Sequence, residues 1–102
     1  MPDYRLTSDA QADLIEIRRY NLKHWGSSQS QKYLSELRQT ICLLAENPTL
    51  GEIRPEVALG FFSFSYVSHV IYYVVYDHQL IVFGGLHKRM VPLNHLAERE
   101  MV

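Results

Sequence analysis

The stretch from Phe61 to Met90 reads FFSFSYVSHVIYYVVYDHQLIVFGGLHKRM, and its pattern decides the fold. Three short runs rich in Phe, Tyr, Val and Ile follow one another, and polar residues sit at the junctions. Aromatic and β-branched side chains suit a pleated, half-buried surface, so these runs are predicted strands. Phe62, Phe64 and Tyr66 alternate with Ser63 and Ser65, the mark of a strand with one covered face. His69 to Tyr76 is almost continuously apolar, as a central strand covered on both faces would be. Asp77-His78 is a plausible hairpin turn, and Gln79 to Leu86 is the return strand. The pair Gly84-Gly85 near its end suggests a bulge or a close backbone approach. The run stops at a polar cluster, His87, Lys88 and Arg89, followed by Met90.

Working outward, the preceding chain reads as cover for this sheet. Asp3 to Leu6 alternates weakly and is a short predicted strand. Ser8 with Gln11, and Ser28 with Gln31, each match a capping box that opens a helix. In the first helix Ala10, Leu14, Ile17 and Trp25 share one arc, widened by Ile15 and Leu22. Arg18 and Asn21 fall inside that arc, and Arg18 is expected to snorkel over the core edge. Gly26 separates the helices. In the second, Leu34, Leu37, Ile41 and Leu44 recur at spacings of three and four, beside Tyr33. Asn47-Pro48 ends it, because the residue before proline is pushed out of helical geometry. Two helices joined by so short a loop must pack antiparallel. Cys42 reads as a small core or flank residue. Pro48 to Gly60 is irregular, and Pro92 to Glu100 is one short helix anchored by Leu96. The expected architecture is α+β with two layers: an antiparallel sheet in the order β-α-α-β-β-β, covered by an N-terminal helical hairpin.

The 102 residues fit one domain, 1–102, and 47% hydrophobic content is enough for a core without staples. A net charge of −1 argues against a protein that coats nucleic acid, so no direct nucleic-acid binding is expected. Cys42 is the single cysteine, which excludes an internal disulfide and points to a reducing cytoplasm. The first residues lack the apolar core of a signal peptide, and no apolar run approaches the length of a membrane span. No P-loop, GxGxxG, HExxH or CxxC motif occurs, and no two histidines have a helical metal-ligand spacing. Neither a cofactor nor a metal is expected.

One cluster could carry chemistry. A metal-free ribonuclease needs an acid, a base and cations for the crowded phosphate. His87 could be the acid or base, with Lys88, Arg89 and Arg54 as cations and His69 nearby. The plainer reading makes His87 a structural histidine that bonds strand-end backbone, and Arg54 a solvated loop charge. The two readings differ in one geometric respect: catalysis requires His87, Arg54 and Arg89 to converge on one phosphate-sized space.

Four pieces of the chain, in order, resemble the ParE toxins of bacterial toxin–antitoxin systems, in the wider RelE/ParE superfamily. They are YRLTSDAQADLIEIRRYNLKHWG from Tyr4, LLAENPTLG from Leu43, SHVIYY from Ser68 and LHKRM from Leu86. The resemblance implies a curved sheet covered by a helical hairpin. It also implies a toxin that is not an enzyme, that poisons DNA gyrase by binding, and that a ParD-like antitoxin neutralises in a hetero-oligomer. The segment Leu86, His87, Lys88, Arg89 and Met90 is then the expected target-facing element. Arg18, Tyr33 and Leu37 on the hairpin are the expected antitoxin contacts. The RelE branch of the superfamily instead cleaves messenger RNA on the ribosome with Lys and Arg on the sheet, and HVIYYVVY carries neither. Phe61-Phe62, Gly84-Gly85 and Val91 depart from common ParE residues towards a more apolar sheet, which leaves an inactive family member that only binds antitoxin as a further alternative. An exposed Tyr/Phe face would then be covered by a second copy or by the antitoxin.

Overall fold

A computed structural model describes residues 3–100. Its elements run β1 (Asp3–Leu6), α1 (Ser8–Trp25), α2 (Ser27–Glu46), a 3-10 turn (Pro48–Leu50), β2 (Glu52–Ile53), β3 (Phe62–Tyr66), β4 (His69–Tyr76), β5 (Gln79–His87) and α3 (Pro92–Leu96). The sheet order is β1-β5-β4-β3-β2. Strands β2 to β5 pair antiparallel, as the hairpin spacing predicts. The sheet as a whole is mixed, because β1 pairs parallel with β5. The helical hairpin sits between β1 and the meander and lets the two strands run the same way. β2 is a two-residue strand inside the segment expected to be irregular, where Ile53 pairs with Phe62.

Both helix starts differ from the predicted capping boxes. Thr7, not Ser8, caps α1: its Oγ1 accepts from the Ala10 N–H at 3.1 Å, and Thr7 is fully buried. Gln11 reaches back only to the Leu6 carbonyl, at 3.4 Å. Helix α2 has no side-chain cap. Gly26, at φ +84°, both closes α1 and opens α2, which leaves no room for a separate capping residue at Ser28. In α1 the buried residues are Ala10, Ile17 and Asn21. Trp25, Leu22 and Ile15 are about half exposed, because the hairpin turns at Gly26 before the wheel brings them over the sheet. Cys42 is exposed on the outer flank of α2.

The main core lies between hairpin and sheet. Ile17, Leu37, Ile41 and Leu44 meet Ile71, Tyr73, Leu80 and Val82 there, with Leu6, Phe62 and Phe64 around them. The other face of the sheet is covered by the chain itself rather than by a partner. Leu96 and Val57 pack on Val70, Tyr72 and Leu86. Phe61 packs on Val74, Ile81 and Phe83, with its ring 4.9 Å from that of Phe83. This is why β4 is buried on both faces as far as Val74 and exposed only at Val75 and Tyr76. The turns match the sequence reading. Asp77 and His78 both have positive φ, as a two-residue hairpin turn requires.

Asn21 is wholly buried, and its amide oxygen and nitrogen have no hydrogen-bond partner among the described residues. A buried amide without partners has lost its water and gained nothing in return. Asn21→Leu, close in volume and apolar, is therefore expected to raise the unfolding free energy by about 1–2 kcal/mol. Urea unfolding of the variant beside the parent chain measures this, and a lower midpoint for the variant would show that the amide is satisfied.

Candidate functional site

Past Val82 the strand β5 changes its surroundings. β1 pairs only with Gln79 to Val82, and the Thr7 N–H takes the Val82 carbonyl as the chain turns into α1. Opposite β4 the register shifts at the same point: Tyr73 faces Val82 and Tyr72 faces Gly84, so Phe83 is the extra residue of a bulge. The glycine pair serves both purposes that its sequence suggests. A Cβ on Gly84 would lie 2.6 Å from Arg99 Nη1 and 3.0 Å from Leu96 Cδ2. A Cβ on Gly85 would lie 3.5 Å from Ile17 Cδ1, an ordinary contact, so the close approach is at Gly84.

The groups that approach the bulge are Asp13 and Arg99. Their carboxylate and guanidinium pair at 2.6 and 3.1 Å, and both side chains are largely buried. Asp13 Oδ2 also accepts from the Gly85 N–H at 3.0 Å, and Arg99 Nη1 donates to the Phe83 carbonyl at 3.0 Å. The pair thus ties α1, the bulge and the C-terminal segment together. Neither residue is visible in the sequence as a functional group: they are 86 positions apart, and only the glycines hint that something passes close.

Beyond the bulge a cleft of about 500 Å³ opens between α1 and the end of β5. Asp13, Glu16, Ile17 and Tyr20 form one wall, and Gly85, His87, Arg89 and Met90 the other. His69, His95 and Arg99 also line it. The terminal cluster is a tight turn: the Arg89 N–H donates to His87 Nδ1 at 3.1 Å, and the Met90 N–H to the His87 carbonyl at 2.9 Å. His87 is thus engaged with strand-end backbone. Lys88, Arg89 and Met90 are exposed. Leu86 is not available as a target contact. It is 3% exposed, because its side chain faces Val70, Tyr72 and Leu96 under α3.

His69 packs edge-on against His87, with ring centroids 5.5 Å apart, and its Nδ1 lies 2.7 Å from the Tyr33 hydroxyl. Burial, with a smaller contribution from His87, pulls its pKa down to about 4. His69 is therefore neutral when folded and takes up a proton more readily when unfolded. The unfolded state binds more protons between about pH 6.5 and 4, so stability contributed here is full above that window and lost as pH falls through it. The loss across the window is expected to be on the order of 3 kcal/mol. Parallel unfolding curves at pH 7 and pH 4.5 for the parent and His69→Gln measure it; equal pH dependence in both would remove His69 as the cause.

Arg54 does not join this group. Its Nε donates to Ser63 Oγ at 2.7 Å, and its Nη2 lies 3.4 Å from Glu52, so it is held against β3 near the opposite edge of the sheet. Pairing of β2 with β3 places it there, and His87, Arg89 and Arg54 do not share one space. The hairpin presents a second depression, of about 330 Å³, floored by Leu6, Leu14, Ile15 and Leu34 and flanked by Arg18 and Arg38. Arg18 is exposed and lines this depression beside Leu6, Leu14 and Leu34 at the core edge; its carbonyl accepts from Ser30 Oγ. Leu37 cannot reach a partner from this hairpin, because it is fully enclosed in the core. Tyr33 is 9% exposed, and its hydroxyl is taken by His69. Its position at the α2–β4 contact makes it mainly a core residue.

A two-helix hairpin on a mixed five-strand sheet is the RelE/ParE-like α+β fold. A chain of the chromosomal ParDE toxin–antitoxin system of Pseudomonas aeruginosa superposes with a TM-score of 0.74 at 17% identity, over 85% of this chain and 96% of that one. A chain of the RelBE2 toxin–antitoxin complex of Mycobacterium tuberculosis gives 0.61 at 20% identity, over 86% and 100%. The family is fixed by sequence: residues 4–92 match the model for the ParE toxin of type II toxin–antitoxin systems. Toxin ParE1 of Caulobacter vibrioides is 34% identical over 97 residues, spanning 95% of this chain and all of that protein. Toxin ParE of Escherichia coli is 33% identical over 103 residues, covering 97% of each. The chain belongs to the ParE toxin family of type II toxin–antitoxin systems.

Proposed function

We propose that this chain inhibits DNA gyrase by binding it, and that a ParD-like antitoxin neutralises it. The observation that carries the reading is family membership over nearly the full length, joined to a projecting cationic turn at the end of β5. The target-facing element is His87 to Met90, with Leu86 as its buried support. Lys88, Arg89 and Met90 offer two charges and a flexible apolar side chain on a turn anchored by two main-chain hydrogen bonds, Lys88 N–H to the Ser68 carbonyl and Met90 N–H to the His87 carbonyl, and by the Arg89 N–H to His87 Nδ1. Such preorganisation lowers the ordering cost of docking.

The antitoxin surface in this reading is the depression on the hairpin. Its apolar floor between Arg18 and Arg38 suits an amphipathic helix whose polar flank is acidic. The ribonuclease reading is less well supported, since Arg54 sits apart from His87 and Arg89. Induced expression in Escherichia coli tests the whole proposal. Growth arrest with filamentation and intact messenger RNA, relieved by co-expressed ParD-like antitoxin, is expected. Rapid loss of messenger RNA on induction would favour the ribonuclease instead.

A further inference from the structure

We infer that Val67, at the tip of the β3–β4 hairpin, is a target contact, and that with Trp25 it extends the surface begun by the turn His87–Met90. The inference rests on the proposed function, which makes that target gyrase. It starts from a backbone conformation. Tyr66 pairs with His69, so Val67 and Ser68 form a two-residue hairpin loop. Val67 alone of the two has a positive φ, at +50°. Positive φ at the first loop position only is the turn geometry that takes glycine there. A β-branched side chain at positive φ crowds its own backbone and is costly.

Nothing among the described residues offsets that cost. Val67 is 61% exposed and belongs to none of the three core clusters. Glycine would close the hairpin at least as well, so the fold gives no reason for an isopropyl group in this place. The β4–β5 hairpin shows the contrast. Its two positive-φ positions carry Asp77 and His78, residue types that tolerate that region. Strain of this kind persists where a side chain is needed for something other than folding.

The surroundings of Val67 supply the need. The Ser68 carbonyl accepts from the Lys88 N–H at 3.0 Å, and the His69 ring lies 5.5 Å from that of His87. The hairpin tip therefore stands beside the target-facing turn. Val67 lines a shallow depression of about 430 Å³ with Trp25, Gln29 and Tyr33. Trp25 is half exposed, its ring is 6.1 Å from that of Tyr20, and Tyr20 borders the cleft that Arg89 and Met90 line. Val67, Trp25, Tyr20 and Met90 thus form one exposed apolar surface that is continuous with the cations Lys88 and Arg89. Trp, Tyr and Arg are the residue types that carry most binding energy at protein interfaces. The depression between Arg18 and Arg38 shares none of these residues, so the target and the antitoxin take different surfaces.

The test compares the full parent chain with Val67→Gly, Val67→Ala and Val67→Ile in thermal unfolding, in growth arrest on induction in Escherichia coli, and in gyrase supercoiling. Val67→Gly is expected to raise the unfolding midpoint by a few degrees, because relief of strain outweighs the added freedom of the unfolded chain. The same variant is expected to weaken inhibition by about fivefold to tenfold, the share of one interface side chain. A residue that served only the fold would not move stability and inhibition in opposite directions. Val67→Ala keeps most of the strain and is expected to weaken inhibition without the gain in stability, while Val67→Ile inhibits better than Val67→Ala. Undiminished inhibition by Val67→Gly, or a lowered midpoint for it, would overturn the inference. Loss of antitoxin affinity in Val67→Gly with growth arrest intact would also overturn it, because the antitoxin would then be the occupant. If the parent chain arrests growth yet leaves supercoiling unchanged, the gyrase reading fails; weaker arrest by Val67→Gly still supports the contact, and equal arrest overturns it.

Discussion

Asp13→Ala is expected to lower the unfolding free energy by about 3–5 kcal/mol, the usual cost of removing one partner from a buried ion pair. The reason is what stays behind. Arg99 would keep its guanidinium in a largely enclosed place with only the Phe83 carbonyl for company, and the Gly85 N–H would lose its acceptor. A charge without its counterion in such a place is worth more than the contact itself. The C-terminal segment would loosen as well, because Arg99 and Leu96 are what hold it to the sheet. Thermal and urea unfolding measure the loss, and hydrogen exchange over residues 83–99 locates it. The double variant Asp13→Asn/Arg99→Met, which leaves no buried charge, is expected to cost clearly less. Equal losses for the two variants would mean that packing, not charge, dominates at this point.

The second large effect concerns the target. Arg89→Glu is expected to weaken gyrase inhibition by about thirty-fold or more, in the range of a binding hot spot whose charge is reversed. Arg89 is exposed, and its side chain makes no hydrogen bond or ion pair among the described residues, so folding should be untouched. Antitoxin binding at the hairpin depression should be unchanged, since Arg18 and Arg38 lie on another surface. Comparing the inhibitory concentration with antitoxin affinity for the same preparation separates the two surfaces. Equal loss of both would place Arg89 in a shared surface or in the fold itself.

Much of the fold was legible because it rests on short-range signals. Alternation in Phe62–Tyr66 and the apolar run of β4 mark strands wherever they occur, and Gly26 and Pro48 bound the helices. The parallel pairing of β1 was not legible, because Asp3 to Leu6 carries no sign of the strand it will join. The cap of α1 shifted by one residue, from Ser8 to Thr7, since adjacent hydroxyls are equally suited and tertiary burial chose between them. Buried or exposed placement was harder still. Leu37 and Leu86 look available in a list of residues, and only the packing of α2 on β4, and of Leu96 on β5, removes them from any surface. Of the candidate site, the turn His87–Met90 was readable as a polar interruption. The pair Asp13–Arg99 was not, because a contact between chain ends leaves no periodic trace.

The most direct measurement of the central claim is gyrase supercoiling of relaxed plasmid with ATP, with the purified folded chain titrated in. Loss of supercoiling with accumulation of linear, cleavage-trapped DNA is the predicted result, reversed when a ParD-like antitoxin is added first. Unchanged supercoiling at a large molar excess of folded protein would contradict the account.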